Sequence, residues 1–403
     1  MHAPSGLLVS IAACVAAAPA TAADLTTPGM FAESQRNAFA NDGEEGGVRA
    51  GPLDLRGAAA ISLAYDSNVN AVADPVSGES VATGQLLLRA DNTSARHDFN
   101  AQAFAAAYRF DESSSLDATE FGVATEFTSL LAPRDTFEFS LDGQRRFERR
   151  IEIETPTNIP VSLYDELRVD LRQSHAFNRL SMRLSLDGQR LQYDDASQQY
   201  RDHTLYGGEL RAAYELSSSL SWFASAHFKR DEFDEASPRV ASADTTGALL
   251  GVLIANDIVD LEFGAGYFER RFEDGTDMVD GLALRGAMSW RPTRLTTLRA
   301  EITRSDEPTN IPGAFGKIRN ELLLRLSHEY SRTLSLFAGG RLVIDEFDST
   351  DSDDTLYLAE LGASWQVGRH SVLNFTYDYG SRDTETARGF LRHIASLSFI
   401  GRL

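Results

Sequence analysis

The sequence predicts an all-β protein whose strands form one transmembrane antiparallel β-barrel of about 18 strands. Three observations lead to this prediction: apolar residues alternate with small or polar ones, short turns alternate with long polar loops, and aromatic residues gather near strand ends. In a closed barrel every backbone group finds a partner, so only the outward face must be apolar. A mean hydropathy of −0.26 is therefore compatible with a membrane protein.

Residues 1–23 form the first predicted element, a secretory signal peptide. An apolar run at residues 6–18 precedes Pro19, and residues 20–22 supply a small-x-small cleavage pattern. Cys14, the single cysteine, lies inside this run, so we expect an exported chain without thiol or disulfide chemistry. A lipoprotein box around Cys14 is the weaker alternative, because the stretch before it is short and uncharged.

Two further segments follow the signal peptide. Residues 24–51 are polar and irregular, with an acidic, glycine-rich patch at 42–47, and they predict a flexible periplasmic arm. From Leu53 apolar positions recur at every second residue, and comparable segments continue along the rest of the chain. We therefore expect the barrel to occupy residues 52–403.

The strands are expected between eight short turns and nine long polar loops. The short turns lie near residues 92–94, 132–135, 177–179, 217–219, 256–257, 292–294, 331–333 and 368–370, and the long loops around 66–81, 111–117, 148–163, 194–202, 231–243, 273–279, 305–317, 345–354 and 380–388. Such alternation is typical of bacterial outer-membrane barrels. A soluble β-sandwich or β-helix is the alternative, but its inward face would be a packed apolar core and not a row of charges.

Charged residues occupy the face opposite the apolar one, which predicts either a wet channel or a wall of arginine–carboxylate pairs. Barrels of about 16–18 strands are wide enough for an aqueous channel, and the bulky inward residues Phe223, Leu323 and Phe337 would narrow it. The predicted pore-lining residues are Arg89, Glu138, Asp142, Arg168, Asp170, Arg172, Arg183, Glu209, Arg211, Arg285, Arg299, Glu301, Arg319, Glu321, Arg325 and Arg341.

Aromatic residues near the strand ends predict two girdles at the membrane interfaces. All three tryptophans lie next to short turns, with two tyrosines at the same level and four near the opposite ends. The predicted girdle residues are Tyr65, Tyr193, Tyr214, Trp222, Tyr267, Trp290, Tyr330, Trp365 and Tyr379.

The charge balance excludes some functions. With 59 acidic against 38 basic residues the net charge is −21, which argues against nucleic acid as a partner because phosphate binding needs a basic face. A divalent-cation site at residues 348–354 is disfavoured, since the glycine and closing glutamate of a calcium loop are missing. His227 shares an inward face with Ser225 and Lys229, yet these residues make no catalytic triad. We expect no metal, no cofactor and no enzymatic activity.

The segment Tyr65-Asp66-Ser67-Asn68-Val69-Asn70, at the end of the first predicted strand, resembles the Tyr-Asp-x-Asn-Val signature of outer-membrane β-barrel porins encoded beside exopolysaccharide genes. The resemblance implies a porin-like barrel in the outer membrane of a Gram-negative bacterium, with polysaccharide export components as partners. The barrels of surface lipoprotein assembly modifiers open similarly and rank second, because the segment before Leu53 is too short for their helical-repeat domain.

Two functions therefore stay open. The first is an aqueous channel for diffusion or export of polar solutes, linked by the resemblance to exopolysaccharide export. The second is a non-conducting structural or assembly barrel for surface polysaccharide or lipoprotein machinery. Either function surrounds the chain with outer-membrane lipid and lipopolysaccharide and makes the barrel assembly machinery a partner.

Overall fold

The computed structural model describes residues 47–150, 161–235, 240–273, 278–311, 314, 316–348, 353–384 and 389–402, so the predicted signal peptide and most of the predicted arm lie outside it. Within these ranges are nineteen strands and two short 3-10 helices, Ser114–Leu116 and Gln199–Arg201. The strands are β1 (Val48–Ala50), β2 (Leu53–Asp66), β3 (Glu79–Thr93), β4 (His97–Phe110), β5 (Ala118–Ala132), β6 (Asp135–Phe147), β7 (Leu163–Ala176), β8 (Leu180–Tyr193), β9 (His203–Ser217), β10 (Leu220–Phe233), β11 (Ala243–Ala255), β12 (Val259–Phe272), β13 (Met278–Thr293), β14 (Thr296–Pro308), β15 (Gly316–Glu329), β16 (Leu334–Phe347), β17 (Asp353–Gly368), β18 (Ser371–Thr384) and β19 (Phe390–Arg402). No helix among the described residues is long and apolar enough to cross a membrane.

Strands β2 to β19 close into one antiparallel barrel. Each strand pairs with its neighbours in the chain, and β19 returns to β2 from Ile394 opposite Asp66 to Arg402 opposite Ala58. Closure leaves no free sheet edge, which is the condition for a sheet in hydrocarbon. The prediction of an all-β antiparallel barrel of about 18 strands is confirmed.

The connections alternate in length as the sequence predicts. Each predicted short turn joins two consecutive strands, for example between Ala132 of β5 and Asp135 of β6. Strands β2 to β19 contain 13 to 16 residues, more than the roughly 9–11 residues that cross a bilayer at a tilt. Their ends therefore project beyond the apolar zone.

The last residues of the predicted arm are extended and not irregular. Strand β1 turns at Gly51, which has a φ of 65°, and pairs with Leu53 to Leu55 of β2. Among the described residues β19 reaches along β2 only as far as Ala58, so β1 covers part of the β2 backbone beyond it. Extended structure therefore begins before Leu53. Without β1, this part of β2 would be an open edge to which other chains could pair.

Burial is inverted relative to a soluble protein. On β2 the side chains of Ile61 and Leu63 are 69% and 64% exposed, whereas Ser62 between them is 1% exposed. The same inversion recurs around the barrel, where buried charges such as Glu360 and Asp378 share the inward face. An outward face of large apolar residues is stable in lipid and not in water.

Candidate channel lumen

The register of the strands determines which side chains face the lumen. Residues paired across antiparallel strands project to the same side of the sheet, so the inward face can be followed from Ser62 on β2 through Thr83 and onward around the barrel. By this criterion all sixteen predicted pore-lining residues lie on the inward face. That they line a conducting pore stays a prediction.

Several inward charges halfway along the barrel remain accessible to water. Arg285, near the middle of β13, is 37% exposed while its Nη1 lies 3.2 Å from Glu209 on β9. Asp187, near the middle of β8, is exposed although it faces inward. A full charge is stable at this depth only where water or a charged partner reaches it, and both side chains meet this condition.

Other inward charges pair across the wall. Arg172 lies 2.8 Å from Glu138, and Arg341 lies 2.7 Å from Glu321. The planar guanidinium suits such pairs because several N–H groups project from it in fixed directions. Water-accessible inward charges and ion-paired inward charges therefore occur in different parts of the lumen, and the wet channel stays a prediction.

A packed aromatic patch narrows the lumen on one side. Phe223 lies over Gly264, where an added Cβ would come within 2.8 Å of its ring. Arg211 stacks on the same ring at 3.8 Å from its centroid and donates to Glu262 at 2.8 Å. Sequence reasoning identified Phe223 as a bulky inward residue, but it did not identify the facing glycine that makes room for the ring.

The structure corrects one predicted girdle residue, Tyr193. This side chain is 7% exposed and faces inward, where its hydroxyl donates to Glu148 at 2.9 Å and Arg201 stacks on its ring. Tyr193 is separated from the inward residues Arg183 and Asp187 by an even number of positions along β8. The alternation of the strand alone therefore predicts that it faces inward.

The other predicted girdle residues point outward. Tyr379 is half-buried against His393, and seven are exposed, Tyr65, Tyr214, Trp222, Tyr267, Trp290, Tyr330 and Trp365. Their positions near the ends of the outward apolar face suit an interfacial girdle, and that role stays a prediction.

The motif at residues 65–70 ties the first strand to the last. Arg392 on β19 donates through Nε to Asp66 at 3.0 Å, and the buried Asn68 amide donates to the carbonyl oxygens of Leu391 and Val72 at 3.0 and 2.7 Å. The bonds from Arg392 to Asp66 and from Asn68 to Leu391 cross the seam where the barrel closes. The motif is therefore explained by closure of the sheet and by the fold of the loop after β2.

The loop after β2 turns into the barrel. Ala71 has a φ of 48°, a left-handed conformation that residues with a side chain rarely adopt. It packs with Val343 and Leu356 on the inward faces of β16 and β17, and Arg150 from the β6–β7 loop donates to Asn70 at 2.8 Å. Burial, and then the nearby charge of Arg392, lower the pKa of the Arg150 guanidinium. This loop therefore covers part of the lumen at the long-loop end.

Sequence reasoning missed a series of outward arginines at the long-loop border of the apolar face. Six alternate strands each carry one near the end, and every one pairs with a carboxylate. These arginines are Arg109, Arg145, Arg190, Arg230, Arg271 and Arg304. Hydrogen bonds from Arg190 lower the pKa of the Asp234 carboxyl in the loop after β10. The signal was present in the sequence as an arginine recurring just before six of the nine long loops.

The described residues hold no group of three or more His, Cys, Asp or Glu arranged for a metal, and residues 349–352 of the disfavoured cation loop lie outside them. The side chain of His227 packs over Gly247, and Lys229 lies 3.7 Å from Asp231. Nothing in this geometry adds a catalytic group, and the prediction that the chain is not an enzyme stays open.

Solved structures of three bacterial proteins are similar to this chain at low sequence identity. The crystal structure of OpdK from Pseudomonas aeruginosa has 10% identity and a TM-score of 0.49, covering 87% of this chain and 99% of that one. OccAB3 from Acinetobacter baumannii has 10% identity, a TM-score of 0.44 and the same coverages. The siderophore receptor PirA from Pseudomonas aeruginosa has 10% identity and a TM-score of 0.42, covering 87% of this chain and 80% of that one.

None of the curated proteins matches this chain. A family model described as Putative beta-barrel porin 2 matches residues 42–397, which is most of the chain. The chain therefore belongs to this family of porin-like outer-membrane β-barrels.

Proposed function

We propose that this protein forms a water-filled channel for polar solutes across the outer membrane. The observation that carries the proposal is the water access of inward charges at mid-depth, above all Asp187 and Arg285. Charges of both signs along an accessible path replace part of the hydration shell of a polar solute, which lowers the cost of its passage.

The solute class that we propose is polar saccharide moving towards or through the cell surface. The choice of saccharide as the solute rests on the resemblance of residues 65–70 to porins encoded beside exopolysaccharide genes. Uptake assays that compare neutral oligosaccharides with peptides and organic acids of similar size test it. Equal permeation by all three classes of solute would contradict a preference for saccharides and would indicate a general diffusion channel.

Planar-bilayer recording of the refolded protein tests the channel itself. We expect discrete conductance steps that scale with salt concentration, because ions would carry current through a wet lumen. A heat-unfolded sample at the same detergent concentration is the control. Absence of steps from protein that migrates as a folded barrel on a gel would contradict the proposal.

A second candidate function is a non-conducting structural or assembly barrel. The observation that favours it is the covered inner wall at the long-loop end, where Ala71 packs on Val343 and Leu356. The same recordings separate the two functions, since this barrel would insert without conducting.

The surroundings that we propose are outer-membrane lipid and lipopolysaccharide, with the barrel assembly machinery acting during insertion and polysaccharide export components as further partners. The apolar outward face and the arginine–carboxylate pairs at its long-loop border support the lipid part of this proposal. Fractionation of outer and inner membranes tests the location, and recovery with the inner membrane would contradict it.

A further inference from the structure

We propose that the end of the β14–β15 hairpin is turned into the lumen and forms the size-selecting constriction of the channel. The hairpin end is defined as Asp306–Pro308 paired with Gly316–Ile318. The inference rests on the proposed channel function, because a constriction selects only where solutes pass.

The hairpin end leaves the barrel wall on its β13 side. Strand β14 pairs with β13 only from Arg304 opposite Leu284 towards the short turn, yet it continues to Pro308 paired with β15. Among the described residues, no register pair joins Met278–Ala283 of β13 to β14. Six residues of β13 thus face a gap where the neighbouring strand has moved away.

One face of the hairpin end lies against the inner wall formed by β10 to β12. Asp306 accepts hydrogen bonds from Thr245 at 2.6 Å and from Arg270 at 3.0 Å. Arg270, which is fully buried, also donates to Asp231 on β10 at 2.6 Å. Thr245 and Arg270 belong to β11 and β12, so Asp306 bypasses β13, and it can do so only through the lumen because both partners point inward.

The opposite face of the hairpin end lies against the inner wall at β16. Lys317 Nζ is 3.1 Å from Asp345, and Arg319 just beyond the hairpin end makes two hydrogen bonds of 2.7 Å to the same carboxylate. Consecutive residues of a strand point to opposite sides, so a strand within the wall would present only one of Asp306 and Glu307 to the lumen. Here Asp306 contacts β11 and β12, while Glu307 lies 3.2 Å from Arg319. Both faces of the hairpin end therefore lie inside the barrel.

The hairpin end therefore stands between two inner walls and reduces the open cross-section. Ala314, in the connection between β14 and β15, also packs in one cluster with Ala71 of the loop after β2. Asp187 faces inward on β8, a strand that contributes no residue to this cluster, and its exposed side chain marks the remaining path. Solutes wider than that path would be excluded.

The test uses a reversible bond in place of the Asp306 contact. In a Cys14→Ser background, the double variant Thr245→Cys with Asp306→Cys places two thiols where the Thr245 hydroxyl and the Asp306 carboxylate now touch. The readout is liposome swelling with a series of uncharged sugars of increasing size, measured with the disulfide formed and after reduction. The single cysteine variants are controls for the reductant. Glu346→Gln on β16, which removes an outward partner of Arg304, is the matched control for charge loss.

We expect the oxidised double variant to keep the wild-type size profile and the reduced form to admit the larger sugars severalfold faster, because neither a disulfide nor the Asp306 carboxylate then holds the hairpin end against the inner wall. Failure of the disulfide to form in folded protein would place the hairpin end elsewhere and overturn the inference. Identical size profiles in the oxidised and reduced forms would overturn the constriction while leaving the channel intact. No swelling with any sugar, in wild type and variants alike, would instead refute the channel function.

Discussion

At the scale of single residues, the motif at 65–70 shows how one polar side chain stabilises the closure of a sheet. The Asn68 amide is fully buried and bonds to backbone groups on both sides of the seam, and its carbonyl accepts from the Val72 N–H at 3.2 Å. The signature was visible in the sequence. Its role was not, because Leu391 lies more than three hundred residues away along the chain.

We expect Asn68→Ala to destabilise the folded barrel by about 1–3 kcal/mol, since buried carbonyl groups would lose their donor. The measurement is the temperature at which the folded, fast-migrating form is lost on a gel. Asn70→Ala is the matched control, because Asn70 bonds only to Arg150 among the contacts described for it. Equal losses in the two variants would contradict a special role for Asn68.

At the scale of strands, glycines decide where backbones and inward rings can approach. A Cβ on Gly266 of β12 would collide with the carbonyl oxygen of Ala248 on β11, whereas a Cβ on Gly188 of β8 would meet nothing within 4 Å. Both look alike in sequence, as glycines within alternating strands. Only the register and local approach of neighbouring strands distinguish them.

We expect Gly266→Ala to reduce the yield of folded barrel severalfold, because β11 and β12 would have to separate. Gly188→Ala should fold at least as well as wild type, since alanine lowers the conformational freedom of the unfolded chain. Refolding into detergent, followed by the ratio of folded to unfolded bands, measures both. Normal folding of Gly266→Ala would show that these strands can shift apart at little cost.

At the scale of the whole molecule, the alternation of faces defines the membrane zone. Leu186, in the middle of β8, is exposed outward, and Ser185 beside it faces inward. The sequence predicts which face of the sheet each strand residue occupies, because charged and apolar residues alternate along the strands. Tyr193 follows this alternation and faces inward, although an aromatic side chain near a strand end predicts a girdle residue.

We expect Leu186→Arg to cost roughly 2–4 kcal/mol of unfolding free energy in vesicles, the cost of an arginine on the lipid face near the bilayer midplane. Ser185→Arg, one position away on the lumen side, should cost much less because water and carboxylates surround that face. Denaturant titration in vesicles measures both variants. Equal costs would contradict the assignment of the two faces.

The sequence by itself determined the barrel, its strand number, its turns and the inward face of the sixteen predicted lumen charges. These properties depend on a period of two and on turn composition, both of which are local. The tertiary structure alone decided the seam at Asn68, the glycine under Phe223 and the hairpin end between two inner walls. Each of these joins residues far apart in the chain, and the distance between such residues is set by how the sheet closes and not by any local pattern.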